Sequence, residues 1–275
     1  MDKFAAILKD LRPVKEKNKI RLGRKWDGGY VLSRRILDAS QVLISLGVNN
    51  EWSFEADCLK SKPFDQLIMV DDQGSPQIMR DLFFKSVGDV VFKFYDKVVF
   101  NRFKFRTKKF IQYTLLSNRY KVKYLQLRIG NGPTETGLDQ LIHQQLIQTG
   151  KQNILLKIDI EGSEYHIISD IVNGSQNYSG VIIEFHDLLS QPEQFSKAIQ
   201  QMKQGFEIIH VHFNNYTPRN EYLADVVEIS FVNKSWVDHP EWETNDYPVP
   251  GLDYPCNRDM KDYEIKWPLP PAPNS

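Results

Sequence analysis

The chain has almost no cysteine. Cys58 and Cys256 are the only two among 275 residues, too few for a disulfide framework or a four-thiolate zinc site. It has no excess charge of either sign, 35 Lys and Arg balancing 35 Asp and Glu. That balance argues against a dedicated nucleic-acid binder, whose phosphate contacts need a basic surplus. No stretch approaches the ~20 apolar residues that span a bilayer. The opening MDKFAAILKDLRPVKEK breaks its short apolar run with Lys9 and Asp10, unlike a signal peptide. Neither G-x-G-x-x-G nor G-x-x-x-x-G-K-[ST] occurs, so the phosphate cradles of dinucleotide and ATP sites are missing. The expectation is a cytoplasmic protein in a reducing compartment, large enough to bury roughly three quarters of its unfolded surface without staples.

The apolar residues that are present are strongly patterned. Phe4, Ile7, Leu8 and Leu11 share one helical face and Pro13 closes it, which predicts a short amphipathic helix. In KIRLGRKWDGGYVL, Asp27-Gly28-Gly29 separates two strand-like pieces and predicts a hairpin. From residue 41 come short apolar runs separated by helix-length segments: QVLISLG (41–47), QLIMVDD (66–72), KYLQLRIG (123–130), NILLKIDIEG (153–162), GVIIEFHD (180–187) and FEIIHVHF (206–213). Such alternation predicts an α/β fold with a parallel sheet covered by helices on both faces. ADVVEISFVN (224–233) follows after a loop with no room for a helix, so the last two strands should pair antiparallel in a mixed seven-stranded sheet. The expected organisation is an N-terminal extension over 1–40, a main domain over 41–235 and a tail over 236–275.

Between residues 93 and 128, eleven Lys and Arg stand against the single acid Asp96, interleaved with Phe94, Phe100, Phe103, Phe105 and Phe110. A basic insertion over 93–122 is expected. It reads either as a solvated helix packed through its Phe face or as a patch for an anionic substrate or lipid head group, with peripheral membrane contact. The tail from Trp236 lacks periodicity and should wrap the surface as ordered coil, fraying at PPAPNS.

In an open parallel sheet, ligands bind at the carboxyl ends of the strands. Here those ends are polar: Gly47, Asn49 and Glu51 after the first run, Asp71 and Asp72 at the second, Gly130 at the third, Asp159 and Glu161 at the fourth, and Glu184, His186 and Asp187 at the fifth. Gly47 lets a ligand approach the backbone, and an acid such as Asp71 suits the two hydroxyls of a ribose. Without a phosphate cradle, an adenosine ligand lacking phosphates fits better than a dinucleotide. S-adenosyl-L-methionine is such a ligand, with Gly47, Asn49, Glu51, Asp71 and Gly130 as its candidate contacts. The plainer reading makes Gly47 and Asp71 turn residues.

The run TETGLDQLI followed by NILLKIDIEGSEYHII resembles the signature of the FkbM-like methyltransferases, in which a Leu-Asp-Asp-Leu helix start precedes a strand reading Leu-Lys-Ile-Asp-Val-Glu-Gly-Ala-Glu. Leu138-Asp139-Gln140-Leu141 and the stretch from Leu156 to Glu164 match it position by position, within a resemblance spanning about residues 40–233. Two departures fall in the first turn: Ser45 stands where the family has an acid, and Trp52 or Ser53 where it has a second Gly. The resemblance implies a Rossmann-like S-adenosylmethionine fold that transfers methyl to oxygen, often on a sugar of a glycan, lipid-linked saccharide or natural product.

Methyl transfer from a sulfonium to an alcohol needs alignment and either a general base or a metal that acidifies the hydroxyl. Asp159, Glu161 and His186 are the candidate catalytic residues, with His186 as base. Asp159, Glu184 and Asp187 are the candidate ligands of a divalent cation such as Mg²⁺. Asn214 and Asn215 read either as hydrogen-bond donors to a sugar hydroxyl or as a polar turn. His210 and His212 lie on a late strand, but no cysteine is near them in sequence to strengthen a zinc site. Two further readings stay open. One is a metal-dependent glycosyltransferase using Asp71 and Asp72; the other is a non-catalytic binding protein that keeps the cofactor fold, which Ser45 favours.

Overall fold

The computed structural model describes residues 2–49, 51–92, 96–146 and 153–267. Seven strands form one sheet: β3 (Val42–Leu46), β4 (Gln66–Val70), β5 (Val122–Leu125), β6 (Ile154–Ile158), β7 (Tyr178–Phe185), β8 (Phe206–Phe213) and β9 (Val227–Asn233). Their order is β5-β4-β3-β6-β7-β9-β8. The first five are parallel and β9 runs antiparallel to both β7 and β8. The mixed seven-stranded α/β sheet expected from the apolar runs is therefore present, in a Rossmann-like arrangement. The chain winds outward from β3 through β4 to β5, then returns to the other side of β3 for β6 and β7. The topological switch point lies between β3 and β6, where open sheets form their ligand crevice.

Side-chain alternation divides the strands between two cores. Val42, Ile44 and Leu46 of β3, Leu156 and Ile158 of β6, and Val181 and Ile183 of β7 point into one cluster. It is shared with α1 (Lys3–Asp10), α6 (Leu138–Leu146), α7 (Ile168–Asn173) and α8 (Pro192–Gly205). The other face packs against the hairpin of β1 (Lys19–Gly23) and β2 (Gly29–Ser33), with α2 (Arg34–Ala39), α3 (Ser53–Ser61) and residues of α5 (Lys97–Arg119). That second face is partly polar. Ser45, Lys157, Ile182, Ser230 and His210 stand in register across the sheet. One step nearer the carboxyl ends of the parallel strands, Glu184, Glu228 and His212 do the same.

The N-terminal helix forms as expected. Asp2 caps it by accepting the Phe4 N–H at 2.7 Å, and Ile7, Leu8 and Leu11 are buried before Pro13 ends it. The tail is tied to the body: Arg12 donates to the Glu243 carbonyl at 2.8 and 3.0 Å, and Tyr247, Cys256, Ile265 and Trp267 are buried. The PPAPNS segment, with Lys93, Phe94 and Asn50, lies outside the described residues.

The basic segment lies mainly on the second of two long helices. Two helices pack against each other, α4 (Pro76–Phe92) and the 23-residue α5, whose start Asp96 caps by accepting the Val98 N–H at 2.8 Å. Phe83 stacks on Phe110 with ring centroids 4.9 Å apart, so part of the Phe content serves helix pairing. Phe84, Phe92, Phe100 and Phe105 remain exposed. No helix among the described residues is long and apolar enough to cross a membrane.

Candidate active site

A cleft of about 640 Å³ opens where β3, β4, β6 and β7 end. Gly47 makes it possible. Its φ is +74°, and a Cβ there would lie 1.6 Å from the Asp159 carbonyl oxygen, so any side chain would collide with the backbone of the neighbouring strand end. Asn49, also left-handed with φ +47°, turns its backbone N–H onto Asp71 Oδ2 at 2.6 Å. The other Asp71 oxygen accepts the N–H groups of Gln73 at 2.9 Å and Gly74 at 2.5 Å. Asp71 thus braces two turns of the cleft wall as well as facing the cleft. Glu51 closes the mouth, pairing with Arg24 at 2.5 Å and with Lys109 of α5 at 3.3 Å. Gly130 corrects the expectation: it does not line the cleft, and a Cβ on it would lie 2.1 Å from Glu135 Oε2, so its smallness serves that local carboxylate. Its neighbours Arg128 and Ile129 line the cleft instead.

The acid absent from β3 arrives from elsewhere. Ser45 donates to Glu55 of α3, a fully buried carboxyl that lines the cleft and whose Oε2 has no hydrogen-bond partner. Burial raises its pKa against the lowering effects of Lys157 and Ser45. An unpartnered buried polar atom in a cleft wall fits a polar ligand. Lys157 bridges the Gly47 carbonyl and Asp159 Oδ2, both at 3.2 Å. Burial opposes its charge, but Asp159, Glu55 and Glu184 outweigh it and hold the ammonium.

Deeper in, Tyr30 of the hairpin donates between Asp159 at 3.2 Å and Glu184 at 3.4 Å. Glu184 also accepts from Asn214 Nδ2 at 3.2 Å. Burial, with the charges of Asp159 and Glu228, pushes the Glu184 carboxyl well above the ordinary carboxylate range. Asn215 is differently employed: its amide donates to the carbonyls of Asn257 at 3.1 Å and Lys261 at 3.2 Å, holding the tail.

His186, the expected base, is held by acids. Its Nδ1–H donates to Glu164 Oε1 at 2.9 Å, and Glu161 lies 3.5 Å from Nε2. Burial lowers its pKa, but the hydrogen bond and charge of Glu164, with Glu184 and Asp159, raise it to about 9. The raised pKa favours the imidazolium, the form that does not accept a proton. Glu161 does not stand beside Asp159 either. β6 ends at Ile158, the chain turns with φ +54° at Glu161, and its side chain is 85% exposed at the rim.

The metal set also changes. Asp159, Glu184 and His186 offer ligand atoms within 4.8 Å of one another, whereas Asp187 turns away, 3.4 Å from Gln191 Nε2. Lys157 already places an ammonium 3.2 Å from Asp159, so this carboxylate has a cationic partner of the chain's own. Tyr30, Glu55 and Lys157 complete the site. Sequence reasoning missed Tyr30 and Glu55; strand alternation, which puts Lys157 on the same side as Asp159, is a signal for Lys157.

No protein-family model and no curated protein matches the chain. Among solved structures it is similar to a TehB-like SAM-dependent methyltransferase from Corynebacterium glutamicum, at 10% identity over 73% of this chain and 86% of that one, with a TM-score of 0.34. It is also similar to a precorrin-6y C5,15-methyltransferase from Geobacter metallireducens, at 12% identity over 84% and 88% of the two chains, with a TM-score of 0.35. M. jannaschii TYW2 in complex with AdoMet matches at 8% identity over 73% and 74%, with a TM-score of 0.32. Similarities this distant carry no inference about ligand or reaction.

Proposed function

We propose that this chain is an S-adenosylmethionine-dependent methyltransferase acting on a hydroxyl oxygen of a saccharide. One observation carries the reading: a single cleft joins the Gly47–Asn49 turn, open to an adenosine ligand without phosphates, to the half-buried Asp159 and buried Glu184, bridged by Tyr30. The resemblance of LDQL and LKIDIEGSE to FkbM-like methyltransferases supports it. The bound sulfonium supplies the methyl group. Gly47, Asn49 and Asp71 hold the adenosine side; Asp159, Glu184 and Tyr30 orient the acceptor hydroxyl for in-line attack. Methyl transfer from the sulfonium would leave a thioether, with Glu184, as the carboxylate, taking the hydroxyl proton. His186 acts by position, latching the Asp159–Gly162 turn through Glu164, which accepts the N–H of Ile160 at 3.2 Å and of Gly162 at 3.1 Å.

The acceptor we favour is anionic and lipid-linked, because α4 and α5 expose Phe84, Phe92, Phe105 and Leu115 beside Lys97, Arg102, Lys104 and Lys108. Acceptor binding should then weaken steeply with salt while cofactor binding does not, exposed charges being screened over about 8 Å at physiological ionic strength. Calorimetric titration tests the main reading. S-adenosylhomocysteine should bind and a nucleoside diphosphate sugar with Mn²⁺ should not. Binding of the sugar nucleotide alone would favour the glycosyltransferase, although Asp71 is already engaged by three backbone amides. Binding of neither would favour a non-catalytic protein.

A further inference from the structure

On the same face of the sheet, beyond the cleft, a second cluster is sealed under the tail. His212 of β8 and Glu228 of β9 are cross-strand partners, and Cys256 reaches them from the tail. All three are buried, and their ligand atoms lie within 4.8 Å of one another. His212 Nδ1 is 3.2 Å from Glu228 Oε2, and Cys256 Sγ is 3.6 Å from Glu228 Oε1. Zinc bonds of about 2.0–2.3 Å to N, O and S, set at tetrahedral angles, imply ligand-to-ligand edges of roughly 3.3–3.7 Å. The two spacings, one to each oxygen of Glu228, lie close to that range.

Two further observations point to a cation. The remote nitrogen of His212, Nε2, faces Asp262 at 3.0 and 3.2 Å. A ligating imidazole is oriented in this way, donating its outer N–H to a carboxylate while the inner lone pair faces the metal. Glu228 also stands opposite Glu184 in the antiparallel register of β7 and β9. Two buried acids in facing positions repel, and a cation held by one relieves the pair.

We propose that His212, Glu228 and Cys256 bind a zinc ion, with Asp262 orienting the histidine. A borderline-soft ion suits a mixed N, O and S donor set, and Mg²⁺ and Ca²⁺ do not take thiolates. The ion clamps the tail onto the edge strands β8 and β9. Binding requires the thiol proton to leave to solvent, so loading releases protons.

The test uses the full chain and the metals themselves. After purification and dialysis, the protein should retain one equivalent of zinc by elemental analysis. Cobalt exchange should produce a thiolate-to-cobalt charge-transfer band. Cys256→Ala should abolish the band, Cys58→Ser should leave it intact, and Asp262→Asn should weaken zinc binding about 10–100-fold. Chelation should lower the melting temperature. Folded wild-type protein that takes up neither ion, or a cobalt band that depends on Cys58, overturns the site. The wild-type cobalt spectrum decides even if Cys256→Ala does not fold.

Discussion

The two faces of the central sheet are made from the same strands and do different work. Toward α1, α6, α7 and α8, β3, β6 and β7 present Val, Ile and Leu, all fully buried. Toward the hairpin and tail, the alternate positions carry Ser45, Lys157, Glu184, Glu228, His210 and His212, also buried but hydrogen-bonded. A buried polar residue is costly unless it is paired. The polar face is therefore where packing has been exchanged for chemistry, and the apolar face provides the stability that this requires.

Substitutions on the two faces should separate accordingly. Glu184→Gln should lower turnover about 10²–10⁴-fold while S-adenosylhomocysteine affinity, measured by calorimetry, is preserved. Loss of affinity in parallel would return Glu184 to a structural role. Leu156→Ala, on the apolar face of the same sheet, should cost about 2–5 kcal/mol in denaturant unfolding yet leave turnover per folded molecule near wild type. A catalytic defect there would erase the contrast between the faces.

The His186 latch gives a pH-dependent version of the same comparison. Its folded pKa, about 9, lies above the ordinary 6.5, so the imidazolium's contribution is full below about pH 6.5 and fades as pH rises through 9, amounting at most to the order of 3 kcal/mol. Wild-type unfolding free energy should fall across that window, and His186→Asn should flatten the profile. An unchanged slope would remove the imidazolium. Asp71→Ala should have the smallest effect, freeing the Asn49 turn and weakening S-adenosylhomocysteine by roughly tenfold to a hundredfold, about 1.5–3 kcal/mol. Unchanged affinity in the folded variant would exclude a cofactor role for that turn.

Whatever depends on neighbours along the chain could be read from the sequence. Alternating apolar runs named all seven strands of the sheet, Asp27-Gly28-Gly29 marked the hairpin, and a loop with no room for a helix forced β9 to turn back antiparallel. Gly47 was legible as a point where a ligand can approach the backbone; its crowding by the Asp159 carbonyl was not. Tertiary structure decided the rest, because side chains distant in sequence set each other's environments. Tyr30 reaches Asp159 across 129 positions, and Glu55 answers Ser45 from the following helix. The His186 pKa is raised chiefly by Glu164, buried against it, and Asp187, one residue on, points elsewhere. Cys256 meets Glu228 from 28 positions away, at a spacing with no local motif. Periodicity reports which face a residue occupies. Charge state and ligand geometry depend on what else is buried on that face, and only the folded chain brings those groups together.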